Sequence, residues 1–439
     1  MNPTRRTFLK GLAAVAGLGL AGCGIRPAAS PSGAPSTGSS VQPSAASGSP
    51  SAGTASAVAS VAAKPAAPQP RSLVVIQLAG GNDGLATVLP YADGALKDNR
   101  STLTFADDQL LKLDDKAALH PNLKGLKSLW DAKKLAIVQG VGYPDPIRSH
   151  FASMDIWASG TPGKPSQTGW LGRYLDAAKL PADNPFNAAS VGPQLPLTLK
   201  TQNTAVASLQ DTNTFQLRTD PRHPQDHQDV MAAFERIYSR GPGGQPYYDL
   251  VDKFEGITVS AASALKDVSG KYTPANPYPT SALGKALQTV AQVMSGGFGT
   301  RIYYVQTGSY DTHANEKAGH DRLMTDLGNA IAAFHQDISA HGWGQNVAIM
   351  TWSEFGRRVK ENGSGGTDHG TAAPMFVAGD GVNGGLVGDQ PSLTKLDQNG
   401  DLVFGIDFRS VYNTILTKWL GLDGQEVLGS KFEVLPIFK

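Results

Sequence analysis

The sequence predicts an α/β domain built on a largely parallel sheet, and three observations predict it. Short apolar, β-rich runs alternate with amphipathic helical stretches, glycine and polar clusters follow the runs, and turn residues separate the units. The first run, from Ser72 through Val74, Val75 and Ile76 to Ala79, stops at Gly80-Gly81 and reads as a buried strand. A helix is expected over Pro121 to Ala132, with Leu123, Leu126 and Trp130 at helical spacing and Pro121 near its start. A second strand is expected over Leu135 to Val141, then a loop and a helix opening near Ser149. Residues from about 180 to 300 read as a less regular helical insertion, with long helices at about 247–266 and 281–296. Strands return at Arg301 to Gln306, Val347 to Trp352 and Met375 to Ala378. Between them an amphipathic helix over about 319–340 places Leu323, Leu327, Ile331, Phe334 and Ile338 three and four residues apart.

Ahead of this domain the chain has another character. Arg5-Arg6 followed by Thr7-Phe8-Leu9-Lys10, then an apolar run from Leu12 to Leu20, reads as a twin-arginine export signal. The run is shorter and richer in glycine than a spanning helix, which takes roughly 20 predominantly apolar residues. It ends in Leu20-Ala21-Gly22-Cys23, which resembles a lipobox, so residues 1–23 are expected to be a signal whose Cys23 is lipidated. Cys23 is the chain's one cysteine, which rules out an intrachain disulfide. Residues 24–70 are almost wholly Ala, Ser, Pro, Gly, Thr and Val, a composition too poor in bulky apolar groups to offset ordering entropy. They are expected to form a disordered tether. The expected location is the extracytoplasmic side of a membrane, in the periplasm or at the cell surface. The partners expected are the twin-arginine export machinery and the membrane holding the lipidated Cys23.

Residues 71–439 are long enough for one large domain or two smaller ones. Net charge is +1, from 38 basic and 37 acidic residues, and no basic stripe follows the signal, so nucleic-acid binding has no electrostatic support. There is no nucleophile elbow, no P-loop and no dinucleotide fingerprint in a strand-helix setting.

In sheets of this class ligands lie beyond the carboxyl ends of the strands. Polar clusters stand at each of these places: Gly80-Gly81-Asn82-Asp83-Gly84, Arg148-Ser149-His150, Ser309-Tyr310-Asp311-Thr312-His313, Ser353-Glu354-Phe355-Gly356-Arg357 and Gly366-Thr367-Asp368-His369-Gly370. Asp, Glu and His together are ligand types for zinc, manganese or iron, whereas carboxylates alone would suit magnesium or calcium. A hydroxyl at a helix start beside a metal or an Arg can attack a phosphoryl or sulfuryl centre. Each cluster alone also fits an ordinary polar loop: Ser149 as a helix cap, Glu354 in a salt bridge to Arg357 or Arg358. Recurrence at every strand end argues for a site. His223 and His227, separated by Pro224, read as loop residues, and His120 as the start of the helix that follows.

These motifs, with Thr168-Gly169-Trp170-Leu171-Gly172-Arg173 and Asp407-Phe408-Arg409-Ser410-Val411-Tyr412, resemble the bacterial domain-of-unknown-function family 1501 from about Ser72 to the C-terminus. That family is similar to the alkaline phosphatase and sulfatase superfamily, which implies a three-layer sandwich around a mostly parallel sheet. The resemblance implies Asp83, Asp311, His313 and His369 as metal residues and Ser149 as nucleophile. In the hydrolase reading built on it, Glu354 and Asp368 join them in holding metal or orienting its ligands, and Arg148 or Arg357 clamps the anion. The pattern departs from the superfamily at two points. The Asp-His pair is spaced by one residue, and Ser353-Glu354 stands where an Asp-His pair is expected. One or two divalent ions, or none in a degenerate site, fit this pattern. The activity expected is metal-dependent hydrolysis of a small phosphate or sulfate ester. The alternative is a non-catalytic surface lipoprotein that uses the same fold for binding or assembly.

Overall fold

The computed structural model describes residues 70–181, 184–212, 229, 232–233 and 264–439, all within the unit Ala62–Lys439. The expected signal, nearly all of the tether, His223, His227 and most of the helix expected at 247–266 lie outside the described residues.

In chain order the strands are β1 (Ser72–Leu78), β2 (Val88–Leu89), β3 (Leu111–Lys112), β4 (Ala118–Leu119), β5 (Leu135–Gly142) and β6 (Ala188–Val191). They continue with β7 (Ala207–Leu209), β8 (Ile302–Thr307), β9 (Val347–Trp352), β10 (Ala373–Ala378), β11 (Gly385–Val387) and β12 (Ile406–Asp407). The main sheet runs β11-β5-β10-β9-β1-β8-β6-β7, with β12 also paired to β5, and β2-β4-β3 form a small second sheet. At the centre Val75 pairs in parallel with both Tyr304 and Met350. Every residue of β1 is buried, as a strand covered on both faces must be.

Alternate side chains of β1 enter two different cores. Val74, Ile76 and Leu78 meet Leu287, Leu327, Ile331 and Phe334 from the helices Ala282–Ser295 and Glu316–Ala340. Leu73 and Val75 meet Trp157, Trp170, Val411 and Tyr412 from helices on the opposite face. Two cores on one sheet make three layers. The long helix starts at Glu316, three residues earlier than its apolar spacing predicts. The backbone N–H groups of Asn315 and Glu316 donate to the carbonyls of Ser364 (3.0 Å) and Gly365 (2.9 Å), so a distant loop caps it.

Two further differences bear on the site. β10 runs antiparallel to both β5 and β9. Its first residue, Ala373, therefore pairs with Val141 near the carboxyl end of β5, which brings the preceding loop, with Asp368 and His369, to the edge where the parallel strands end. The region expected as a helical insertion contributes β6 and β7 to the main sheet and the helix Ala282–Ser295; about half of its remainder lies outside the described residues. Among the described residues no helix is long and apolar enough to cross a membrane.

A candidate metal centre at the strand ends

β1 delivers the chain to Gly80 and Gly81, both at positive φ (124° and 77°). A Cβ on Gly80 would lie 2.4 Å from the Asp311 backbone nitrogen, and one on Gly81 2.3 Å from the Phe355 ring. Only glycine lets the loops after β8 and β9 approach so closely. Across that contact, Asp311 and His313 arrive after β8, Glu354 and Arg357 after β9, His150 at the head of the helix His150–Ser159, and Asp368 and His369 ahead of β10.

Three imidazoles converge on Asp311. Its Oδ1 lies 3.0 Å from His313 Nε2 and 3.2 Å from His369 Nε2, its Oδ2 lies 3.4 Å from His150 Nε2, and the Nε2 atoms of His313 and His369 stand 2.9 Å apart. The far nitrogen of each ring faces an atom that can only accept. His150 Nδ1 is 2.8 Å from Glu354 Oε1, His369 Nδ1 is 2.8 Å from the Arg148 carbonyl, and His313 Nδ1 is 3.2 Å from Asp368 Oδ1. Those partners place the proton on Nδ1, and a neutral ring then presents a bare lone pair at Nε2. Three lone pairs and a carboxylate pointing together repel one another unless a cation sits among them. Two ligands each about 2.1 Å from a metal stand about 3.0 Å apart at right angles and about 3.4 Å apart in a tetrahedron. The spacings around Asp311, 2.9 to 3.4 Å, fall in that range, and the ligand atoms of His150, Asp311 and His369 all lie within 4.8 Å of one another. The residues fit a divalent ion held by nitrogen and oxygen.

The supports are equally specific. Burial would raise the Asp311 pKa, but the Arg357 guanidinium at 2.8 Å outweighs it and the carboxyl is held at about 2. Asp368 is lowered by a hydrogen bond from Asn362 and by His313, against partial burial. The buried Phe355 ring lies 4.9 Å from the His150 ring and 4.5 Å from that of His369, giving the cluster an apolar floor.

Several expectations need correction. Arg357 is not an anion clamp: it is buried, and its guanidinium donates to the carbonyls of Gly81 (2.6 Å), Thr367 (2.8 Å), Tyr310 (3.0 Å) and Gly80 as well as to Asp311. It ties three loops together. Glu354 and Asp368 stand behind His150 and His313 rather than in the innermost ring; Glu354 Oε1 also accepts from Gly80 N (2.8 Å). Arg148 reaches the cluster through its carbonyl, while its guanidinium pairs with Asp401 at 2.9 Å. Asp83 is in a different place. Fully buried, it caps the helix Gly84–Thr87 and pairs with Arg100, which offsets the upward push of burial and lowers its pKa to about 2. Beside it Glu316 is driven up to about 9 by burial and by the Asp83 charge. Ser149 occupies the cap position of its helix, but its exposed side chain makes no capping bond. His120 is buried and bonded to Asp321 at 2.9 Å.

His150 was not among the metal residues expected from the sequence, although it stands directly beside Ser149. An imidazole next to a candidate nucleophile at a helix start was the available signal. Arg100 had no local signal, since its partner is 17 positions away.

Residues 70–431 match a family described as a protein of unknown function (DUF1501). No curated protein matches the chain. Solved structures with which it aligns include a protein in the alkaline phosphatase superfamily from Vibrio parahaemolyticus (10% identity, 84% of this chain and 72% of that one, TM-score 0.38). The PsFucS1 sulfatase from Pseudoalteromonas sp. aligns at 12% identity over 82% of this chain and 68% of that one, TM-score 0.34. Alkaline phosphatase from the Antarctic bacterium TAB5 aligns at 10% identity over 71% and 92%, TM-score 0.29.

Proposed function

The chain belongs to the DUF1501 family, and from that premise we propose that it is a metal-dependent hydrolase of phosphate or sulfate esters. We place it outside the cytoplasm, delivered by the twin-arginine machinery and anchored in a membrane through lipidated Cys23. The observation that carries the activity is the convergence of His150, His313 and His369 Nε2 on Asp311, with each Nδ1 proton already engaged. The mixed nitrogen and oxygen donors suit zinc, manganese or iron, and a single ion is proposed because Asp83 is committed to Arg100. Such an ion would act as a Lewis acid on the ester oxygens.

The chain's own groups do the rest. Asp311 binds, fixed by Arg357. Glu354 sets the tautomer and tilt of His150. Ser149, exposed at the head of the same helix, offers the nucleophilic hydroxyl to a small anionic ester. The test is metal analysis of the full-length protein together with a phospho- and sulfo-ester panel. The expected result is about one ion per chain and turnover abolished by Ser149→Ala. A metal-free, inert protein that Ser149→Ala leaves unchanged would sink the proposal.

One observation favours the non-catalytic reading: no side chain among the described residues hydrogen-bonds the Ser149 hydroxyl, so no base is in contact with it. A bound ion with no turnover of any ester in the panel would select that reading.

A further inference from the structure

β6 and β8 lie side by side, with Ser190 paired to Tyr304, and a cleft of about 290 Å³ opens at their carboxyl ends. Ligands in sheets of this kind sit at that edge. One wall carries Gln306 and Gly308, and three residues past Gly308 the chain reaches Asp311. The other wall, with Gly192, Pro193, Gln194 and Pro196, runs into the turn Leu197–Leu199, which packs against the helix His150–Ser159. Tyr304 belongs to the lining too. Burial pushes its hydroxyl up and the Glu354 charge adds to that push, so the cleft adjoins the carboxylate that holds His150. An ester bound at the metal centre would have this cleft beside it.

The lining decides what fits. None of its residues carries a charge, so an ionic group entering it would lose hydration and gain no partner. Its hydrogen-bonding groups are uncommitted. Ser190 is 2% exposed, and its hydroxyl has no hydrogen-bond partner among the described residues. A hydroxyl hidden from water and left unpaired costs stability, so its place in the lining points to a bound group that completes the bond. The carboxamides of Gln194 and Gln306, both exposed, are likewise unbonded among the described residues. Each sets N–H donors and a carbonyl acceptor in one plane, the complement of another amide. Val191, Pro193 and Pro196 add apolar surface, which suits the alkyl part of an N-acyl group.

We propose that this cleft is a specificity subsite for an uncharged N-acyl group on the alcohol part of the ester. The ester rests on the hydrolase reading, whereas binding of the amide requires no turnover.

The test titrates methyl N-acetyl-α-glucosaminide, methyl α-glucoside and methyl α-glucosaminide into the full-length protein, with and without chelator. Calorimetry and saturation-transfer NMR are read below neutral pH, where the free amine is charged. The acetamido sugar is expected to bind about tenfold more tightly than the glucoside, with the strongest saturation at its acetyl methyl. The charged amine is expected to bind most weakly. Ser190→Ala and Gln306→Leu should each weaken the acetamido sugar by about fivefold. Ser190→Ala should also leave the unfolding midpoint unchanged or raised, because the hydroxyl it removes has no partner within the described protein. No binding of the acetamido sugar, a preference for either of the other two, indifference to both substitutions, or a lowered midpoint in Ser190→Ala would each overturn the subsite. Amide binding without ester turnover would uphold the subsite and defeat the hydrolase; turnover without amide binding would do the reverse.

Discussion

Glu354 shows how much of the centre is carried by residues that would not touch the metal. Its Oε1 holds the His150 Nδ1 proton at 2.8 Å and accepts from Gly80 N, so it fixes both the ring and the loop beneath it. Replacing it by Gln keeps the shape but puts an amide where a charged acceptor stood. The expected result of Glu354→Gln is a 10- to 100-fold (roughly) weaker metal affinity in chelator competition, with the fold retained. A second prediction concerns the buried pair behind the site. The folded pKa of Glu316, about 9, lies above its ordinary value of 4.5, so the folded state holds a proton that the unfolded chain has released. Stability should therefore be greatest below pH 4.5 as far as this group is concerned, and be lost as pH rises towards 9, at up to about 1.4 kcal/mol per pH unit. Glu316→Gln supplies a neutral side chain of the same shape. It should flatten that slope and be more stable than the parent at pH 8, measured by urea unfolding. Asp83 acts in the opposite sense: its lowered pKa contributes stability above about 3.8 that fades as pH falls towards 2.

At the scale of elements, the site depends on how closely its loops can approach. Gly80 packs backbone against backbone, with φ at 124° and no room for a methyl group beside the Asp311 nitrogen. Gly80→Ala should cost on the order of 1–3 kcal/mol and displace Asp311. The check is a lowered unfolding midpoint together with weaker metal binding, and loss of stability with metal affinity intact would show that the contact is structural only. The direction of β10 matters as much. A parallel strand there would carry Asp368 and His369 to the opposite edge of the sheet. Nothing within Met375 to Ala378 encodes direction, because a strand buried on both faces reads the same either way. The long helix, by contrast, was legible from Leu323 to Ile338; only its first turn, capped by the distant residues Ser364 and Gly365, was not.

For the whole molecule, the domain is set on two cores flanking one sheet, and the proposed export signal ahead of it is testable by where the protein is found. Cys23→Ser is expected to move the protein from the membrane fraction to the soluble extracytoplasmic fraction, and Arg5→Lys with Arg6→Lys to hold it in the cytoplasm, both read by fractionation. Retention of the Cys23→Ser protein in membranes would defeat the lipid anchor. The sequence alone determined the strands β1, β5, β8 and β9, the long helix, and the loops on which Asp311, His313 and His369 travel, because hydrophobic period and turn residues are local properties. Tertiary structure alone decided which of the polar groups meet. Asp83 and Arg357 bear the same charges wherever they sit, yet burial and partners far along the chain turned one into a helix cap paired with Arg100 and the other into a tie between loops. His150 joined the cluster for the same reason: its orientation depends on a carboxylate 204 positions away, a distance that no local pattern records.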